Sequence, residues 1–159
     1  MNRFYKVTNQ QYVDAVELDG TNLEDEYNSI ELPRRGTALS AGYDFFAPHD
    51  IDLLPWDDIL IPTGVGVELD EDKFLMCVPR SGLGFKFGLG LANTVGIIDA
   101  DYSHATNGGH IMAKLTSQDK PIHINKGQAF MQGIIIPYFR VDGDMTDTLR
   151  VGGFGSTDA

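Results

Sequence analysis

Cysteine is almost missing from this chain: Cys77 is the one example in 159 residues. A single thiol excludes an internal disulfide and a thiolate metal site. It sits in the apolar run Phe74-Leu75-Met76-Cys77-Val78, which predicts a small buried core residue and not a reactive thiol. Long apolar runs are missing too. The longest, Gly133 to Phe139, is interrupted by Pro137 and falls far short of a membrane span. No basic-then-apolar start resembles a signal peptide, so a cytoplasmic location is expected. Positive charge is scarce, with 12 Lys and Arg against 23 Asp and Glu and a net charge of −11. That excess repels polyanions and membrane surfaces, so neither nucleic acid nor a membrane is expected as a partner. The chain has no Gly-x-x-x-x-Gly-Lys-Ser/Thr phosphate loop and no Gly-x-Ser-x-Gly nucleophile elbow. Its four histidines, His49, His104, His110 and His123, lack the short-range pairing of a zinc site.

What remains is an ordinary globular composition, 42% hydrophobic and 22% charged, long enough to bury a core. One domain over residues 1–159 is expected, with residues from about 150 to 159 as a mobile arm. Glycine and proline cut the sequence into short apolar runs. Val65, Val67 and Leu69 alternate with Gly66 and Glu68, and Ile111, Ala113 and Leu115 alternate with Met112 and Lys114. Both patterns predict strands. Phe74–Val78 and Ile134–Ile136 are continuous, as in strands buried on both faces. Turn signals separate them at Pro55–Asp58, Asp70–Asp72, Asn107–Gly109 and Asn125–Gly127. Many short strands at this spacing predict an all-β sandwich or barrel. Residues 21–30 read otherwise. Thr21-Asn22-Leu23-Glu24 fits a capping box, with Leu23, Tyr27 and Ile30 on one helical face. A short helix and a solvated acidic loop stay equally open.

Five segments join glycine to chemically useful side chains. Ser40-Ala41-Gly42-Tyr43-Asp44 sets a lone acid before Phe45-Phe46, either a structural acceptor or part of an ion and water network. Pro79-Arg80-Ser81-Gly82-Leu83-Gly84 follows an apolar run, and Ser81 suits the N-cap of a short helical turn that offers N–H groups to an anion. In Asn93-Thr94-Val95-Gly96-Ile97-Ile98-Asp99-Ala100-Asp101-Tyr102, a strand would put Asp99 and Asp101 on one face and Tyr102 on the other. One carboxylate could take a proton from water or hold a sugar hydroxyl; equally, both acids could simply face solvent. Lys126-Gly127-Gln128-Ala129-Phe130-Met131-Gln132-Gly133 leads into an apolar strand. There the Gln132 amide could orient a water or a phosphate oxygen, or be a satisfied core amide. Finally, Arg150-Val151-Gly152-Gly153-Phe154-Gly155-Ser156-Thr157 sets one aromatic among glycines, hydroxyls and a cation. It is either a floppy end or an arm that orders over a ligand, its ring on a flat base and its N–H groups on phosphate.

In this order the five segments resemble the five motifs of the trimeric dUTPases. Ser40–Pro48 is similar to the first, Val78–Leu91 to the second, Asn93–Tyr102 to the third, Lys126–Pro137 to the fourth and Gly152–Thr157 to the fifth. The resemblance implies a β-jelly-roll protomer, a homotrimer with three shared sites, and hydrolysis of dUTP to dUMP and pyrophosphate. That activity limits uracil incorporation into DNA and supplies dUMP for thymidylate synthesis. Mg²⁺ is implied, held by the triphosphate and water and not by the protein. Asp99 is implied to hold the sugar 3′-hydroxyl and activate the attacking water, with Gln132 placing water and α-phosphate. Tyr102 packs under the deoxyribose, and backbone at Asn93 and Gly96 reads the uracil edge. Arg80, Ser81 and Gly82 contact phosphates, and Asp44 supports the surrounding network. The arm of a neighbouring subunit brings Arg150, Phe154, Gly155, Ser156 and Thr157 over the ligand.

The chain departs from the pattern at three places. After Tyr102 the usual Arg-Gly-Glu is replaced by the longer Ser103-His104-Ala105-Thr106-Asn107-Gly108-Gly109-His110. Arg150 stands nearer Phe154 than in many relatives, and Asp158 follows the Ser-Thr pair where glycine is frequent. Two other functions compete. A dCTP deaminase shares the fold but would need a catalytic carboxylate pattern after the third motif that this chain lacks. A regulatory protein could use closure of the arm over the nucleotide as a signal. Residues 19–31 and Ser103–His110 would then be its candidate surfaces for a protein partner.

Overall fold

Alternating side chains build paired strands, and every pairing is antiparallel. The computed structural model describes residues 1–16 and 22–148. In chain order the elements begin with strand β1 (Arg3–Lys6), helices α1 (Asn9–Ala15) and α2 (Leu23–Ser29), and strands β2 (Arg34–Arg35), β3 (Tyr43–Phe46), β4 (Ile51–Leu53), β5 (Asp58–Pro62) and β6 (Val65–Glu68). There follow β7 (Lys73–Pro79), helix α3 (Ser81–Phe87), β8 (Gly90–Leu91), β9 (Gly96–Asp99), a 3₁₀ turn (Ala100–His104), β10 (Met112–Thr116), β11 (Ile122–Ile124) and β12 (Ala129–Pro137). The strands form a five-stranded sheet in the order β2-β3-β12-β7-β9, a three-stranded sheet β5-β10-β8, and the pairs β1-β6 and β11-β4. Strands dominate, as the period-two patterns predict, and the arrangement is jelly-roll-like. Among the described residues no helix is long and apolar enough to cross a membrane.

The core lies between the sheets. Phe45, Ile61, Leu75, Ile111, Leu115 and Phe130 are essentially inaccessible to solvent. Cys77 is buried with them, and burial pushes its thiol pKa up to about 12, as expected of a core residue. Phe74–Val78 differs from its prediction. Leu75 and Cys77 are buried, but Phe74, Met76 and Val78 on the opposite face are only half-buried. Ile134 and Ile136 pair with Met76 and Phe74 across the ladder and share that half-buried face.

Two helices stand between β1 and β2. For residues 21–30 the structure decides in favour of a helix. Its N-cap is Asn22, whose side chain accepts from the Asp25 N–H, and not Thr21, which lies outside the described residues. Three acids in its first turn suit the positive end of the helix. Helix α1 went unpredicted although its signal is present. Thr8 and Gln11 form a reciprocal capping box, each side chain bonding the other's backbone N–H. Between the helices, the Tyr12 hydroxyl donates to the buried Glu26 carboxylate, which also meets His49 Nδ1 at 3.1 Å. Burial, reinforced by Glu26, drives the Tyr12 pKa upward, so this hydroxyl remains a donor.

His110 is 1% exposed, and its Nε2 accepts the Gly64 N–H at 2.8 Å. Burial lowers its pKa from 6.5 to about 4, against the smaller opposing effect of a hydrogen bond to the Gln11 backbone. The imidazole is therefore neutral in the folded state. As pH falls from 6.5 toward 4 the unfolded chain takes up this proton first. Stability contributed by the neutral ring is present above that window and lost through it, by about 3 kcal/mol. Urea denaturation at pH 7 and pH 4.5, at fixed protein concentration, should show a smaller loss for His110→Gln than for the parent chain. Equal losses would remove His110 as the cause.

Candidate functional site

The register of the five-stranded sheet determines where the candidate residues stand. Arg34, Asp44, Gln132 and Val78 form one row across β2, β3, β12 and β7. Ile97, Met76 and Ile134 form a second row, and Asp99, Phe74 and Ile136 a third. Directly paired residues project to the same face, so Asp44, Gln132 and Asp99 share one face of the sheet. They are not adjacent on it. Asp99 pairs into the row of Ile136, four residues from Gln132 on β12. With two strand spacings in addition, their backbones are roughly 16 Å apart. A half-buried apolar strip of Phe74, Met76, Ile134 and Ile136 separates them.

The Asp44–Gln132 end is a compact group. Arg80 follows β7 and its Nε stands 3.5 Å from Asp44 Oδ1, so the acid anchors the guanidinium. The Arg80 backbone N–H donates to the Phe130 carbonyl, tying the β7–α3 junction to β12. Arg80, and not Ser81 as predicted, is the N-cap of α3, and it makes no side-chain capping bond. Ser81 moves to the first helical position, where its hydroxyl is not used as a cap. Ser81 and Gly82 are exposed, and a Cβ on Gly82 would meet no atom within 4 Å. Packing among the described residues therefore does not demand glycine at 82. Gly42 is the opposite case. A Cβ there would come within 2.3 Å of Gln132 Oε1, so the missing side chain makes room for the Gln132 amide. Gly42 stands in the first of the five segments, but the sequence assigns it no role, because its partner Gln132 is ninety residues away. Arg34 was missed as well; its guanidinium lies over the Phe46 ring at 4.3 Å.

The third segment supplies the other end. Asn93 is exposed in the turn between β8 and β9, and its carbonyl accepts from the Val95 N–H at 2.7 Å. Thr94 beside it has φ of 65°, a left-handed conformation that costs a β-branched residue about 1–3 kcal/mol and that concentrates at ligand-binding turns. Nothing in the sequence signals that strain. Gly96 opens β9, and its hydrogen faces Cys77, whose Cβ would lie 3.1 Å from a Cβ at 96. Asp99 is the exposed last residue of β9. Asp101 and Tyr102 do not continue the strand, so the expected alternation of Asp99, Asp101 and Tyr102 across a strand fails. They lie in the 3₁₀ turn, which winds the chain away from the ladder. Tyr102 is 7% exposed; its hydroxyl donates to the His110 carbonyl at 3.0 Å and accepts from Asn107 Nδ2 at 2.9 Å. Arg150, Phe154, Gly155, Ser156 and Thr157 lie outside the described residues.

Two surface concavities, of about 490 and 370 Å³, flank the N-terminal strand and include neither Asp99 nor Gln132. Among the described residues no three His, Cys, Asp or Glu side chains converge on a metal position. Mg²⁺ commonly binds through substrate phosphates and retained waters.

Comparison with known proteins closes the question of family. The dUTPase family model matches residues 28–157. The deoxyuridine 5′-triphosphate nucleotidohydrolase of Lactococcus lactis is 38% identical over 134 residues, covering 82% of this chain and 89% of that protein. The crystal structure of the Streptococcus mutans dUTPase superposes with a TM-score of 0.67 at 30% identity, over 88% of this chain and 98% of that one. A dUTPase mutant from the Staphylococcus aureus phage phi11, in which a structural Mg(II) ion is coordinated, shares the fold with a TM-score of 0.60. It is 21% identical, over 74% of this chain and 90% of that one. Residues 1–27, with β1 and α1, precede the matched span. From residue 28 onward, with the sheet and both groups of candidate side chains inside the matched span, the chain belongs to the dUTPase family.

Proposed function

We propose that this chain hydrolyses dUTP to dUMP and pyrophosphate at sites shared between copies of itself. The observation that carries the proposal is the register just described, which spreads the family's polar residues over one sheet face. Asp99 stands at one end, Asp44, Arg80 and Gln132 at the other, with a half-buried apolar strip between. Such a strip is the kind of surface that a protein partner covers. A homotrimer would cover it and bring one copy's Asp99 toward another copy's phosphate-binding group. One domain with residues 150–159 as an arm fits the same scheme.

In this mechanism the Asp99 carboxylate holds the 3′-hydroxyl and accepts a proton from the attacking water. The water oxygen bonds to the α-phosphorus as the bond to the oxygen bridging toward the β-phosphorus breaks, and pyrophosphate leaves with that electron pair. Phosphoryl transfer of this kind depends on placement and charge stabilisation, so no protein nucleophile is needed. Arg80, fixed by Asp44, and the exposed first turn of α3 at Ser81 and Gly82 meet the phosphates. Gln132, with room made by Gly42, orients the α-phosphate and the water. The Asn93–Gly96 turn presents backbone to the uracil edge, and Tyr102 lies beneath the deoxyribose. Arg150 and Ser156–Thr157 reach the phosphates from the arm while Phe154 covers the base and Gly155 lets the backbone approach. Mg²⁺, when bound on the triphosphate, supplies charge neutralisation.

Pyrophosphate release from dUTP, dCTP, dTTP and UTP, measured side by side with Mg²⁺, should be confined to dUTP. Release from dCTP, or from none of the four, would overturn the proposal. Asp99→Ala should still bind a non-hydrolysable dUTP analogue while turnover falls on the order of 10³-fold, the usual scale for loss of a general base. Near-normal turnover would remove Asp99 from its role. Deleting residues 150–159 should abolish turnover and leave the thermal unfolding of the body unchanged. Full activity in the truncated chain would show the arm to be dispensable.

A further inference from the structure

The Ser103–His110 segment ends in a clamp on the Tyr102 hydroxyl. Asn107 Nδ2 donates to that hydroxyl at 2.9 Å and to the His110 carbonyl at 3.2 Å, while Asn107 Oδ1 accepts the Gly109 N–H at 3.1 Å. The hydroxyl itself donates to the His110 carbonyl. An amide suits this position because it offers donors and an acceptor at once; a carboxylate could not donate and an alanine could do neither. The turn that carries the amide is tightly determined. Gly108 and Gly109 both have positive φ, 70° and 68°. A Cβ on Gly109 would come within 2.7 Å of the Ser103 Cα and 3.0 Å of the Tyr102 carbonyl oxygen.

Tyr5 and Gln11 brace the clamp from outside. The Tyr5 hydroxyl donates to the Gly108 carbonyl at 2.9 Å, and the Gln11 amide lies directly over Gly108, where a Cβ would be 2.0 Å from its Nε2. His110 closes the other side, its ring anchored on the Gly64 N–H and its carbonyl shared by Tyr102 and Asn107. The Tyr102 ring is thus held at its far end by a turn that β1 and α1 hold in place.

We infer that Asn107 is a positioning residue that sets the chain's preference for deoxyribose over ribose by fixing the Tyr102 ring. The inference rests on the proposed placement of Tyr102 beneath the sugar. A ring rejects a 2′-hydroxyl by occupying its volume, and it does so only while it cannot tilt away. Loosening the hydroxyl end lets the ring yield by the few tenths of an ångström that the extra oxygen needs, which lowers discrimination more than it lowers use of the deoxy substrate.

The test compares kcat/KM for dUTP and UTP in the parent chain, Asn107→Ala, Tyr102→Phe and the double variant. Asn107→Ala should lower the dUTP-to-UTP ratio at least about tenfold, mainly by raising use of UTP relative to dUTP. Tyr102→Phe, which keeps the ring and loses both bonds of its hydroxyl, should lower the ratio at least as much, and the double variant should fall no further than Tyr102→Phe. An unchanged ratio in Tyr102→Phe overturns the inference even if Asn107→Ala does not fold. A lower melting temperature for Asn107→Ala with an unchanged ratio overturns it too, since that is the signature of a merely structural role. The same ratio is read from dissociation constants of α,β-imido dUTP and α,β-imido UTP. A parent chain that binds these but hydrolyses nothing would sink the hydrolytic proposal, while the binding ratio would still decide the role of Asn107.

Discussion

Strand β12 lies between β3 and β7, and its register with both is the constraint on which the candidate site depends. A slip of one residue would turn Gln132 to the opposite face and bring Met131 and Gly133 outward, because side chains alternate along a strand. Several features resist the slip. Gly133 is packed so closely that a Cβ would lie 2.9 Å from Leu75 Cδ1, and Met131 and Phe130 are fully buried. A register irregularity between Ala129 and Met131 absorbs the extra residue at the start of the pairing with β3. The Arg80 N–H bond to the Phe130 carbonyl then carries the same register into the β7–α3 junction.

Much of this was legible in the sequence, for reasons that differ from residue to residue. The strands at Val65–Glu68 and Met112–Thr116 follow from alternation, which reports on a single buried face. Phe74–Val78 was read as buried on both faces because a continuous apolar run cannot say what covers its second side. In this chain that side is half-buried. Capping boxes are legible only when the correct residue is chosen as the cap. Thr8 and Gln11 satisfied the pattern unnoticed, whereas Thr21 satisfied it beside Asn22, the residue that caps.

The site was legible as segments and not as geometry. Arg80, Gln132 and Asp44 share one region because the topology interleaves β3, β7 and β12, a relation between residues far apart in the chain. Asp99 and Asp101 were expected to share a strand face, but the strand stops at Asp99 and the 3₁₀ turn takes over. The two roles of glycine here are also invisible to composition. Gly42 is empty because Gln132 needs the space, while Gly82 is empty where nothing among the described residues fills it.

The position of β12 within the sheet has a consequence for how the chain is made. The strand that joins β3 to β7 leaves the ribosome after both of them. Until then β3 and β7 have lengthy unpaired edges and an apolar face without its central member, the kind of intermediate that associates wrongly. The β1–β6 pair can form well before that moment, since Arg3 pairs with Glu68. Biosynthesis of this protein therefore includes an interval in which an early, braced N-terminal half waits for one late strand. Holdase chaperones would act on the open edges of β3 and β7 during that interval.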